Sequence, residues 1–290
     1  MMNPNRRASR HQKFEKSRQR LGQYFLASRP VLETIARATD DLRALPVLEI
    51  GPGRGALTFL LAGRFPKVIA VEKDERLADE LENALRERNI KTVSVARGDI
   101  LELFPNHLAL PERYAVIANI PYYLTSRLIR VLLESGRRPE AMALMVQEEV
   151  AERIVATPPR MSILSIAVQA YATPRIIARV PRTAFSPQPK VDSALIRIDR
   201  ISDAFFRRED IAPDVFFKIL RAAFGGKRKV LVNTLAPLAG SKTKASAAIA
   251  AAAIAPTARP EMLSLPDWVR LLRALSAGSN LHGSENGEQK

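Results

Sequence analysis

The sequence contains no cysteine. Disulfide frameworks, thiolate nucleophiles and cysteine zinc sites are therefore excluded. Histidine is nearly absent: His11, His107 and His282 lie far apart, two of them near the ends. That spacing disfavours a histidine cluster, so no metal is expected. No apolar run approaches the roughly 18 residues that a membrane span needs. The basic N-terminus lacks the apolar stretch of a secretion signal. A soluble, cytoplasmic protein without a membrane partner is the expectation. Acidic residues are in deficit, 30 Asp and Glu against 45 Lys and Arg, for a formal net charge of +15. An excess of that size favours a polyanionic partner, nucleic acid first and an anionic membrane second. Nothing in the composition implies an oligomer.

What is present is globular. Apolar residues make up 47% and charged residues 26% of the 290, enough for a large core and a smaller second domain. Residues 1–20 carry Arg6, Arg7, Arg10, Lys13, Lys16, Arg18 and Arg20 against the single acid Glu15, the pattern of a flexible basic arm. From about residue 29 helix and strand patterns alternate. Strands are expected at 47–50, 68–71, 92–95, 114–118 and 141–146, with helices near 29–39, 55–64, 75–88, 125–134 and 162–171. Repeated units of this length give a parallel sheet covered on both faces. The rhythm then breaks. Strands at 175–180 and 191–198 are joined by a short Pro-rich loop, too short for a parallel crossover. The fold class expected is α/β: a class I, Rossmann-like methyltransferase sheet, mostly parallel with an antiparallel last strand. Residues 203–276 read as helices only, with Pro213 at a helix start and Phe216, Phe217, Leu220 and Phe224 on one face. The domain boundaries are thus 1–20 basic arm, 21–200 cofactor-binding catalytic domain, 203–276 helical RNA-binding or substrate-binding domain, and 277–290 disordered tail.

Glu49-Ile50-Gly51-Pro52-Gly53-Arg54-Gly55 follows the first of these strands and opens a helix. Glycines there permit a sharp turn and close approach of a ligand. Glu72 ends the second strand, 21 residues after Gly51, where a carboxylate can accept both hydroxyls of a ribose. Asp99 follows the third strand, placed to accept from an adenine amino group. NAD fits less well, because Gly51, Gly53 and Gly55 lack the spacing of the dinucleotide pattern. ATP fits less well because no P-loop lysine follows. S-adenosylmethionine is the cofactor that suits the set.

Asn119-Ile120-Pro121-Tyr122 ends the fourth strand. An adenine amino group is a poor nucleophile because its lone pair is delocalised into the ring. Acceptors that hold its hydrogens out of the ring plane localise that pair. The Asn119 side-chain oxygen and the Ile120 carbonyl are the candidates, with Pro121 fixing the local dihedral. Tyr122 and Phe185 are the candidate stacking faces for an unpaired or flipped base.

These segments, in this order, carry a resemblance. Gly22-Gln23-Tyr24-Phe25-Leu26, the glycine turn, Glu72, Gly98-Asp99-Ile100, Asn119-Ile120-Pro121-Tyr122-Tyr123, residues 146–153 and residues 185–198 resemble the ribosomal RNA adenine dimethyltransferase family, and most of all its bacterial small-subunit branch. The resemblance spans about residues 20–235. It implies two methyl transfers to each of two adjacent adenosines near the 3′ end of small-subunit rRNA, in immature subunits during ribosome assembly. It implies cofactor contacts at Gln23, Tyr24, Leu26, Gly51, Gly53, Glu72, Asp99 and Asn119. The family often has Asn or His where Tyr24 stands, which favours a main-chain role at that position. Three alternatives stay open: the antibiotic-resistance group acting on large-subunit rRNA, a non-catalytic assembly factor of the same fold, and a DNA or protein amide methyltransferase. Arg127, Arg130, Arg137, Arg138, Arg160, Lys190, Arg221, Lys227, Arg228 and Lys229 are candidate phosphate contacts.

Overall fold

Seven strands form one sheet in the order β4-β3-β2-β5-β6-β9-β7. They are β2 (Val47–Ile50), β3 (Val68–Glu72), β4 (Val93–Arg97), β5 (Ala115–Asn119), β6 (Ala141–Gln147), β7 (Thr173–Val180) and β9 (Ser193–Asp199). The structure is a computed structural model and describes residues 24–226 and 229–278. The first five strands are parallel, whereas β9 runs antiparallel to both β6 and β7. The expected fold class therefore holds.

Central strands β2, β3 and β5 are buried almost throughout, as parallel strands covered on both faces must be. Helices α1 (Arg29–Ala38), α2 (Ala56–Ala62), α3 (Glu75–Glu87), α4 (Ile100–Leu103), α5 (Thr125–Glu134) and α6 (Glu148–Val155) connect them. The chain moves outward from β2 to β3 and β4, then returns to place β5 on the other side of β2. Strand order reverses there, and open α/β sheets bind ligands at such a crevice, outside the carboxyl ends of the strands. Gly51 and Asn119 stand at the carboxyl ends of those two strands.

A second, two-stranded sheet escaped the sequence reading. β1 (Phe25–Leu26) pairs antiparallel with β8 (Phe185–Ser186), and the Ala27 N–H donates to the Ala184 carbonyl at 2.9 Å. Two-residue strands carry no readable alternation, and this pairing helps to bring residues 24–27 to the crevice. Another long-range tie is Arg197, 2% exposed. Its guanidinium donates to both carboxylate oxygens of Asp41, at 3.1 and 2.7 Å, and to Asp199 at 2.7 Å. A buried cation persists only when paired in this way.

By contact, residues 24–152 and 172–201 form one unit, and 153–171 with the described residues from 202 onward form another. The expected boundary at 200 is corrected in one respect: 153–171 belong to the helical unit. α7 (Ile163–Tyr171) lies between two sheet strands in sequence and reads as a crossover. It is buried nearly all round, and its Tyr171 ring lies 4.8 Å from Phe206 and 6.2 Å from Phe217. The rest of this unit is α8 (Ala204–Glu209), α9 (Pro213–Phe224), α10 (Leu231–Ala239), α11 (Lys242–Ala251) and α12 (Leu265–Gly278). Phe216, Phe217 and Leu220 are buried on one face of α9 as expected, and Phe224 stacks on Trp268 at 6.1 Å. Because α12 runs to Gly278, residues 277 and 278 are helical rather than tail. The expected basic arm at 1–20, and 279–290, lie outside the described residues. No described helix is long and apolar enough to cross a membrane.

Candidate active site

Two cavities open at the crevice and share Gly51, Glu72 and Pro121. The first, about 230 Å³, is lined by residues including Tyr24, Leu26, Glu49, Gly53, Asn119, Ile120, Tyr122 and Ser186. The second, about 530 Å³, is lined by residues including Ile50, Lys73, Gly98, Asp99, Tyr123 and Leu124. Consecutive tyrosines of one 3-10 turn, Tyr122–Leu124, thus face different cavities.

The glycine turn is shaped for close approach. Gly53 has φ +58°, and a Cβ there would meet the Phe25 ring at 2.7 Å. Its N–H donates to one carboxylate oxygen of Glu72 at 3.0 Å, while the Asp74 N–H donates to the other at 2.9 Å. Glu72 is only 5% exposed. Burial raises its pKa, and the backbone N–H donors of Asp74, Gly53 and Lys73 oppose the rise. Each carboxylate oxygen retains a lone pair for another donor.

Asp99 caps α4, accepting from the Leu101 N–H at 2.9 Å, and pairs with the Lys73 ammonium at 2.8 Å. The Lys73 hydrogen bond and then the Leu101 N–H hold its carboxyl below the usual range. It is an ionised acceptor facing the second cavity.

Asn119 donates its side-chain nitrogen to the Tyr24 carbonyl at 2.9 Å. The carboxamide oxygen is thereby turned to the other side as an acceptor. The Tyr24 ring stands 5.3 Å from Tyr122, tilted by 36°. Pro121 holds φ −55° and ψ 130° between Ile120 and Tyr122. The Tyr122 hydroxyl meets the Ser193 hydroxyl at 2.8 Å, and burial pushes the phenol pKa up.

Phe185 corrects an expectation. It is 5% exposed, sits in the core cluster with Leu26, Val180 and Ala184, and does not line either cavity. β8 alternates sides, so its neighbour Ser186 faces the first cavity instead. Gln23 lies outside the described residues. Of the candidate phosphate contacts, Arg137 donates to the Leu110 carbonyl at 2.6 Å, Arg138 to the Leu133 carbonyl at 2.7 Å, and Arg130 pairs with Glu134. Arg127, Arg160, Lys190, Arg221 and Lys229 are exposed, and Lys227 and Arg228 lie outside the described residues.

Glu49 was quoted in the glycine motif without a role. It lines the first cavity, is 1% exposed, and has one carboxylate oxygen buried without a hydrogen-bond partner. Burial pushes its carboxyl up to about 8, and the nearby charge of Glu72 adds to the rise. Its place inside an apolar strand, Val47 to Ile50, was the available signal.

The acceptors and cradle fit an adenosyl amino acid. Two carboxylates and a carboxamide oxygen face the openings, one buried oxygen awaits a donor, and the Phe25 ring leaves no room for a side chain at Gly53. Residues 14–276 match the model of the family described as ribosomal RNA adenine dimethylase. The chain is 40% identical to the "Ribosomal RNA small subunit methyltransferase A" of Dehalococcoides mccartyi strain CBDB1, over 88% of this chain and 87% of that one. A dimethyladenosine transferase from Plasmodium falciparum is similar in structure, with TM-score 0.73 and 25% identity over 88% of this chain and 98% of that one. The 23S rRNA methyltransferase ErmE is similar with TM-score 0.65 and 28% identity, over 87% and 99%. The chain belongs to the ribosomal RNA adenine dimethylase family.

Proposed function

We propose that the protein transfers methyl groups from S-adenosylmethionine to the exocyclic amino groups of two adjacent adenosines near the 3′ end of small-subunit rRNA, in immature subunits. As a member of its family it is an rRNA adenine methyltransferase. S-adenosylmethionine and the particular adenosines are the finer assignments made here. When bound, the cofactor supplies an electrophilic methyl carbon on a sulfonium leaving group.

The chain's own residues bind, orient and align. Glu72 accepts the ribose hydroxyls with the lone pairs its backbone donors leave free. Asp99 accepts from the cofactor's adenine amino group in the second cavity. Glu49 faces the amino end of the methionyl part in the first cavity, where its orphaned oxygen needs a cationic donor. Gln23, Tyr24, Leu26, Gly51 and Gly53 complete the wall around it.

For the substrate base, the Asn119 oxygen and the Ile120 carbonyl accept the two amino hydrogens and turn the nitrogen lone pair out of the ring. Pro121 keeps that carbonyl aimed. Tyr122 offers a face for the unpaired base, and stacking of about 1–3 kcal/mol per base offsets the cost of flipping. Alignment of nitrogen, methyl carbon and sulfur is the main remaining task. No side chain is required as a full base: after attack the nitrogen carries a positive charge, and its proton passes to solvent water.

The observation that carries this assignment is the carboxamide of Asn119, its nitrogen held by the Tyr24 carbonyl. The small-subunit target is supported by the 40% identity to a small-subunit methyltransferase. Incubation with labelled cofactor and either unmethylated small subunits or large subunits tests it. Label in the small-subunit rRNA is expected. Label confined to large-subunit rRNA rejects the assignment, and label in neither favours an assembly factor.

A further inference from the structure

Tyr122 and Ser193 meet across 71 residues of sequence, with their hydroxyl oxygens 2.8 Å apart. Ser193 opens β9 and is fully buried. Its main chain is paired on both sides, opposite Gln147 of β6 and Val180 of β7. A hydroxyl so placed is fixed by two ladders and cannot shift without disturbing both.

Tyr122 has no such support of its own. It begins a single 3-10 turn after Pro121, and its ring lines an open cavity. A tyrosine side chain swings about its first torsion, and a bond at the phenol oxygen, the far end of the ring, fixes where its long axis points. Tyr24 is the neighbouring ring at 5.3 Å, but a contact tilted by 36° does not by itself hold Tyr122 in place. Phe185 is buried elsewhere in the core. The segment 185–198 was expected to contribute an aromatic face; what it brings to Tyr122 is a hydroxyl.

We infer that Ser193 is a positioning residue for methyl transfer: its hydroxyl anchors the far end of the Tyr122 ring, and through it the place of the stacked adenine relative to Asn119. The inference rests on Tyr122 being a face for the target base. Burial keeps the Tyr122 phenol protonated, so either hydroxyl can donate. Ser193 lines neither cavity.

The test compares wild-type protein, Ser193→Ala, Tyr122→Phe and the double variant. Four quantities are read: kcat and KM on unmethylated small subunits, affinity for S-adenosylhomocysteine, and the emission of an RNA carrying 2-aminopurine at the target position, which stacking quenches. Each single variant is expected to lower kcat about tenfold through misplacement of the base. KM stays within about twofold, cofactor-product affinity is unchanged, and quenching is incomplete. The double variant is expected to be no slower than either single one, because both remove the same bond. Additive losses, or wild-type kcat and quenching in Ser193→Ala, overturn the inference. If Ser193→Ala does not fold, Tyr122→Phe removes the same bond without touching the buried strand and carries the test alone. Full quenching in Tyr122→Ala shows instead that the base lies elsewhere, which rejects the underlying assignment of Tyr122.

Discussion

The side-chain nitrogen of Asn119 donates to the main-chain carbonyl of Tyr24 at 2.9 Å. One contact thus decides which end of the carboxamide is left free to accept. The residue before β1 orients the residue that ends β5, and the two-stranded sheet of β1 and β8 holds it there.

Removing that acceptor tests its role. Asn119→Ala is expected to lower kcat by about 10²–10³, the range for loss of one preorganised polar group at a reacting centre. Affinity for RNA stays close to wild type. Asn119→Asp is expected to be similarly slow, because it turns a carboxylate oxygen toward the Tyr24 carbonyl and loses the orienting bond. Single-turnover methylation of small subunits measures both.

On the proposed reading, Glu72 is expected to set cofactor affinity. Glu72→Gln replaces an ionised acceptor by a neutral carboxamide and puts an N–H where the Gly53 or Asp74 N–H now donates. Loss of a charge-assisted hydrogen bond of about 1.5–3 kcal/mol weakens S-adenosylhomocysteine binding by about 10–100-fold. Titration calorimetry reads the change.

Glu49 gives a pH dependence. Its carboxyl is raised from 4.5 to about 8 without ligand. A folded-state value above the unfolded one stabilises the fold below the unfolded value, and that contribution is lost as pH rises through about 8. The ligand-free protein is therefore expected to lose stability between about pH 5 and 8. Binding of a ligand ammonium favours the ionised form, so affinity is expected to rise over the upper part of the same window, with proton release. Glu49→Gln flattens both profiles. Thermal melts and calorimetry in buffers of differing ionisation heat check the two limbs. A wild-type profile as flat as that of the variant contradicts the placement of Glu49.

Much of this was legible in the residues. The parallel core strands are apolar runs of the right length, and Glu72, Asp99 and Asn119 end or follow three of them. Acids and a carboxamide at strand ends are visible without coordinates. Phe185 was not legible, because a two-residue strand gives no alternation from which to tell its inward side. Residues 153–171 were misplaced for a different reason. A helix between two strands of one sheet looks the same in sequence whether it covers that sheet or joins another core, and the decision came from the Tyr171 ring packing on Phe206 and Phe217. Arg137 and Arg138 counted as available charges in the sequence, yet they bind backbone carbonyls.

That last distinction yields a test by salt. For a single-stranded target, each lost phosphate contact lowers the slope of log affinity against log salt by about 0.7. Arg127→Gln and Arg221→Gln, at exposed positions, are expected to reduce the slope. Arg137→Gln is expected to leave it unchanged and to lower the melting temperature. Filter-binding across a salt series, paired with thermal melts, separates the two behaviours.

Mass analysis of the methylated nucleosides addresses the central claim most directly. Unmethylated small subunits are incubated with S-adenosylmethionine and either wild-type protein or Asn119→Ala that still binds S-adenosylhomocysteine. The expected product is dimethylation on the exocyclic nitrogen of two adjacent adenosines near the 3′ end of the rRNA, formed by the wild type and nearly absent with the variant. Methyl groups on a ring nitrogen or a ribose oxygen, or equal yields from both proteins, contradict the account.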